Sequence, residues 1–264
     1  MDPIAIDKAA AILARGRLDH NRMGQLNEDL RPADETDAYR LQEAVHEHLV
    51  SRGYGRASGR KIGCTTSVMQ KFLKIPNPCA GMVYSSTVHK IKGDFDYSSF
   101  QHVGAECEIA IQLGDGLPAT SIPYDRSSVA SAVDLVMAGI EIVDDRWIDY
   151  QSMDVPTLIA DDFFGAGCVL GKPIKDWQQL DLTSLEGRML INGIEVGQGT
   201  GFDIMGHPFE ALAWLANTAV QHSMPLQSGE FIFLGSIVET KWLKRGDFVE
   251  VIIENLGEVK AQFV

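Results

Sequence analysis

No apolar run in this sequence approaches the ~20 residues that a membrane-crossing helix needs. The opening residues, MDPIAIDKAA, also lack the basic start and long apolar core of a secretion signal. Cations are scarce: 23 Lys and Arg stand against 36 Asp and Glu, a net charge of −13. That balance argues against a nucleic-acid or anionic-membrane surface, and any anionic substrate must be met by local positive charge. Cys64, Cys79, Cys107 and Cys168 show no CxxC spacing, so a zinc site is not expected and the thiols read as free, in the cytoplasm. There is no GxxxxGK[ST] phosphate cradle, no internal repeat and no low-complexity segment. Regular strand–helix alternation is missing too, which disfavours a doubly wound sheet or a TIM barrel.

What the sequence does contain is acid in apolar surroundings. Gly104–Leu113, GAECEIAIQL, reads as a β-strand closed by the Gly114-Asp115-Gly116 turn. Side chains two apart share a strand face, so Glu106 and Glu108 point one way and Cys107 the other. Two carboxylates about 7 Å apart at the backbone repel unless a cation sits between them; a solvated strand face is the other reading of alternating Glu. A second apolar run, Leu135–Val143, carries Glu141 in its middle. An isolated buried charge is costly, so Glu141 is either a third ligand or belongs to a strand with one wet face. Three carboxylates on two strands suit a hard divalent cation, Mg²⁺ or Mn²⁺, which takes oxygen ligands and keeps positions open for water or substrate.

The rest of the chain frames these two strands. Asp2-Pro3 starts one helix, stopped at Gly16, and a second runs from about Thr36 to Arg52 with an apolar stripe at Leu41, Ala44, Val45, His48 and Leu49. Together, residues 1–55 form an N-terminal helical appendage for packing or subunit contact, with His46 and His48 as surface or interface histidines. Residues 56–264 form the metal-binding domain. Arg60–Thr65 reads as a short strand with Lys61 at its end, Ser67–Leu73 as a short helix, and Ile75–Val83 as an irregular loop because of Pro76 and Pro78. Asp161–Gly167 mixes acids, aromatics and glycines, as a site-lining loop or a plain turn does. A hairpin turns at Asn192-Gly193, Gly197–Gly201 reads as a glycine-rich turn, a helix begins at Pro208, and a last hairpin turns near Asn255–Gly257. The fold class is α+β: a mixed, rolled or barrel-like β core with helices around it.

Five motifs in order, KIGCTT (Lys61–Thr66), ECE (Glu106–Glu108), EIVDDR (Glu141–Arg146), GHPFEALAWLAN (Gly206–Asn217) and LQSGEFIFLGS (Leu226–Ser236), resemble those of the fumarylacetoacetate hydrolase superfamily. Within it they are most similar to the 2-keto-4-pentenoate hydratase / 4-oxalocrotonate decarboxylase branch. The similarity runs from about Arg60 to Val264. It implies a Mg²⁺ or Mn²⁺ held by Glu106, Glu108 and Glu141, a catalytic Lys61, and a substrate pocket that includes Ser236. It also implies a small 2-oxo or 2-hydroxydienoate substrate from aromatic catabolism and association with a sister enzyme of the pathway. The apolar stripe of Thr36–Arg52, with no evident partner in the chain, predicts a homo-oligomer. Hydration of a 2-hydroxy-2,4-dienoate is the first activity implied; decarboxylation or C–C hydrolysis of a related 2-oxo acid is the alternative. Three positions depart from the branch's hydratases: Cys79 stands where they carry an acid, Phe163-Phe164 where they carry small polar residues, and Ile237-Val238 where they carry Leu-Thr. Phe163 and Phe164 are therefore expected to shape the pocket for the substrate's tail.

Overall fold

The computed structural model describes residues 1–66, 69–71 and 74–264. The helix expected at Ser67–Leu73 includes residues outside these. Among the described residues, twelve strands join in one mixed sheet: β1 (Ala57–Gly63), β2 (Cys79–Tyr84), β3 (Val88–Lys90), β4 (Lys92–Phe95), β5 (Val103–Leu113), β6 (Val133–Asp144), β7 (Gly165–Leu170), β8 (Glu186–Ile191), β9 (Ile194–Thr200), β10 (Phe231–Trp242), β11 (Phe248–Ile253) and β12 (Gly257–Phe263). Their order is β2-β1-β10-β5-β6-β7-β3-β4-β12-β11-β8-β9. The pairs β1/β10, β3/β7 and β4/β12 are parallel. The sheet rolls until β8 and β9 lie over β10 and β5. A Cβ placed on Gly197 would come within 2.4 Å of Val238, and one on Gly187 within 3.2 Å of Cys107.

β5 and β6 form the centre of the roll, fully antiparallel from Val103↔Asp144 to Leu113↔Val133. Both strands are buried on two faces, as their continuous apolar runs require. The Asn192-Gly193 hairpin forms as expected, both residues having the positive φ that a tight two-residue turn demands.

Two expected loops are strands instead. Cys79–Tyr84 is an edge strand paired to β1, where the prolines end before pairing begins. Gly197–Thr200 continues β9 rather than turning. The glycines there serve close approach: a Cβ on Gly199 would meet the Ile237 carbonyl oxygen at 2.4 Å.

The first helix, α1 (Pro3–Leu18), is capped by Asp2 and runs two residues past Gly16, whose missing side chain admits Met23. The second, α2 (Glu35–Ser51), is capped by Asp34. Its apolar stripe is covered within the chain, Leu41, Val45 and Leu49 being fully buried, so that stripe supplies no ground for a subunit contact. His48 is a surface residue bonded to Asp7, but His46 is buried, because Asp162 waits opposite it at 2.8 Å.

Candidate metal centre

Glu106 and Glu141 are direct partners across β5 and β6, and Glu108 lies two residues along on the same face. One carboxylate oxygen from each of the three lies within 4.8 Å of the other two. Glu108 and Glu141 are buried and Glu106 is half-buried. Like charges directly opposite on a sheet are destabilising, and among the described residues Lys61 is the cation that stands against this trio, 3.0 Å from Glu141. Glu108 accepts one hydrogen bond, from the Gly235 amide to Oε2 at 2.9 Å, while its Oε1 and both oxygens of Glu141 accept none. Glu106 Oε1 accepts from the Thr240 hydroxyl. Burial, then the charge of Glu141, pushes the Glu106 carboxyl up to about 7. Glu108 is driven well above the usual carboxylate range by burial, then by Glu141 and Glu106. Buried carboxylate oxygens facing each other without donors are the donor set of a hard divalent cation, so the residues present fit Mg²⁺ or Mn²⁺.

Lys61 reaches this cluster from β1, two strands away from β5. Its Nζ stands 3.0 Å from Glu141 Oε1, out of line for a hydrogen bond, and donates at 2.6 Å to the main-chain carbonyl of Phe163. Burial alone would lower its pKa, as expected for a proton shuttle, but Glu141 and Glu106 outweigh burial and raise it. Lys61 is therefore a charged ammonium beside the triad, the local cation that a net-acidic chain needs.

The Phe163 ring is buried, with its centroid 5.4 Å from Lys61 Nζ; Phe164 is half-buried and packs edge-on against Tyr150 and Phe163. Asp162, Phe163 and Phe164 all have positive φ, at 55°, 45° and 67°. Left-handed backbone costs about 1–2 kcal/mol per non-glycine residue, so the surroundings must hold this turn in place. Ser236 is paired with Glu108 across β10 and β5, but its hydroxyl donates to the main-chain carbonyl of Val238. Cys79 is buried beside Cys64; a hydrogen bond with Cys64, then burial, raises its thiol well above the usual range, so it is no substitute for an acid. His102 lies at the surface, stacked on Trp242 at 4.1 Å.

Sequence reasoning missed the groups that support the centre. Thr240 is reached only through strand pairing and no motif marks it, while Gly235 lies in the LQSGEFIFLGS motif but its amide's bond to Glu108 is not readable from that motif. Arg17 and His46 each meet Asp162 across more than a hundred residues of chain.

Residues 65–264 match the family described as fumarylacetoacetate (FAA) hydrolase, C-terminal. A 2-hydroxyhexa-2,4-dienoate hydratase of Comamonas testosteroni is 32% identical, over 85% of this chain and 81% of its own length. A 4-oxalocrotonate decarboxylase of Pseudomonas putida is 28% identical, over 86% and 85%. Among solved structures, the 4-oxalocrotonate decarboxylase of Pseudomonas putida G7, complexed with magnesium and adipate, shares the fold. Its TM-score is 0.93 at 24% identity, covering 100% of this chain and 99% of that one. The carboxylate trio, the rolled sheet and these likenesses agree, and the chain belongs to the fumarylacetoacetate hydrolase superfamily, in its 2-keto-4-pentenoate hydratase / 4-oxalocrotonate decarboxylase branch.

Proposed function

We propose that this protein is a metal-dependent lyase acting on a small 2-oxo or 2-hydroxydienoate acid of aromatic catabolism, and that its reaction is loss of a carboxylate as CO₂. The observation that carries the metal-dependent reading is the inward-facing trio Glu106, Glu108 and Glu141, in which Glu108 Oε1 and both Glu141 oxygens accept no hydrogen bond. A divalent cation bound there supplies Lewis-acid charge against the substrate's carboxylate and 2-oxo oxygens.

The chain's own residues do the rest. Lys61 offers the substrate a buried positive charge and holds a movable proton at Nζ. Phe163, whose buried ring lies 5.4 Å from Lys61 Nζ, and Cys79, buried on the adjoining strand, keep water from that side. Decarboxylation breaks one C–C bond, sends its electron pair through the conjugated chain to the 2-oxo oxygen, and calls for one proton in return. Lys61 is the one group described beside the trio that is suited to deliver it.

Hydration is the second reading, favoured by the name of the 32%-identical relative. It calls for a proton to one carbon and a water to the next, and hence for two proton movements.

Incubation with Mg²⁺ and a panel of 2-oxo and 2-hydroxydienoate acids, followed by mass spectrometry, separates the readings. Loss of about 44 mass units is decarboxylation and gain of about 18 is hydration. Two fragments mean hydrolysis, and no change with any substrate overturns the enzymatic reading.

A further inference from the structure

We infer that Asp162 is a positioning residue for Lys61, and that Arg17 of α1 and His46 of α2 act through it. The N-terminal helices are then part of the reaction machinery. This rests on the reading of Lys61 as the proton-carrying group.

The argument starts from the backbone. Three consecutive non-glycine residues, two of them phenylalanines, hold positive φ at Asp162–Phe164. A bulky residue there is a genuine outlier, and such outliers persist only where the surroundings over-determine them. Here they do. The buried Asp162 carboxylate takes Arg17 Nη1 at 2.8 Å on Oδ2, and His46 Nε2 at 2.8 Å and the Met82 amide at 2.9 Å on Oδ1. Arg17 Nη2 binds the preceding Asp161 twice, at its carbonyl and at Oδ1, both at 2.9 Å. Arg146 holds Asp161 from the other side, Nε to Oδ2 at 3.0 Å. Gly81 completes the seat, because a Cβ there would come within 2.6 Å of the Asp162 carbonyl oxygen.

This clamp has one outlet toward the metal centre. The Phe163 carbonyl is turned onto Lys61 Nζ at 2.6 Å, which fixes the ammonium 3.0 Å from Glu141. A plain turn between a helix and β7 would need neither the strain nor the clamp. A main-chain acceptor suits this task because it orients the ammonium without taking its proton.

The test uses the full-length Mg²⁺-loaded protein with Arg17→Gln, Arg17→Lys, Asp162→Asn and Gly81→Ala. The first readout needs no substrate: reductive methylation of Lys61, followed by peptide mass spectrometry. Labelling of Lys61 should rise at least fivefold in Asp162→Asn, Arg17→Gln and Gly81→Ala, and less in Arg17→Lys, which keeps the charge. The second readout is turnover well below each variant's Tm. Here kcat should fall tenfold or more, with KM within about twofold and the Mg²⁺-induced rise in Tm retained.

Gly81→Ala moves the turn without touching the charges, so it decides the matter if the charge variants do not fold. Folded variants with wild-type Lys61 labelling overturn the inference. So do variants that lose Tm but keep kcat. If no substrate is turned over at all, the proposed function fails while the labelling still reports on the clamp.

Discussion

Glu106 and Glu141 face each other as direct partners on adjacent strands, in a centre where Glu141 accepts no hydrogen bond on either oxygen. The pairing is unfavourable for the metal-free chain, and a bound divalent cation would offset it. Glu106→Gln should therefore stabilise the metal-free protein at pH 8, by on the order of 1–3 kcal/mol for a carboxyl displaced this far, since the amide still accepts from Thr240. The same variant should lose most of the Mg²⁺-induced rise in Tm. Thermal unfolding with EDTA and with Mg²⁺ measures both. A metal-free variant less stable than the parent would contradict this account.

A pH dependence follows from Glu106. Its folded-state pKa, about 7, lies above the usual 4.5. Between those values the folded chain holds a proton that the unfolded chain has released, so this group's contribution to stability falls as pH rises through that window. A cation competes with the same proton. Mg²⁺ affinity, by titration calorimetry, should increase between pH 5.5 and 8, and so should the Mg²⁺-induced rise in Tm. A flat profile would show that Glu106 is not a ligand.

Lys61 provides the third test. Lys61→Ala should lower kcat by about 10²-fold or more if the ammonium transfers a proton in the transition state. A variant with unchanged kcat and raised KM would make it a substrate-binding group instead. Either result is read at saturating Mg²⁺, because removing the cation beside Glu141 should tighten proton binding at the trio.

Much of this centre was legible because β-strands keep a strict period of two. ECE places two carboxylates on one face whatever the fold, and an acid inside an apolar run signals a partner. Where the sequence misled, proline and glycine were the reason. Pro76 and Pro78 read as breakers of the whole Ile75–Val83 segment, yet β2 begins directly after them, and Gly197 and Gly199 read as a turn but sit in a strand packed closely on β10. His46 misled differently: helical periodicity shows which face it shares but not that Asp162, 116 residues later, waits on that face. The left-handed turn at Asp162–Phe164 carries no propensity signal, since its conformation is imposed by Arg17 and His46 from outside the segment.

The two phenylalanines should separate in their effects. Phe163 is buried, with its ring 5.4 Å from Lys61 Nζ, whereas Phe164 turns to Tyr150, with ring centroids 5.7 Å apart. Truncating a buried Phe costs about 3–5 kcal/mol in a core that does not collapse, so both variants lose stability, Phe163→Ala the more. Substrate preference is the sharper readout. Opening the space beside Lys61 should change the ranking of kcat/KM across 2-oxo acids with short and long tails in Phe163→Ala, and leave it nearly unchanged in Phe164→Ala. The ranking should move toward bulkier tails, because the removed ring frees volume beside the ammonium. An unchanged ranking in both variants, with only Tm reduced, would make the two rings packing residues and put the pocket for the tail elsewhere.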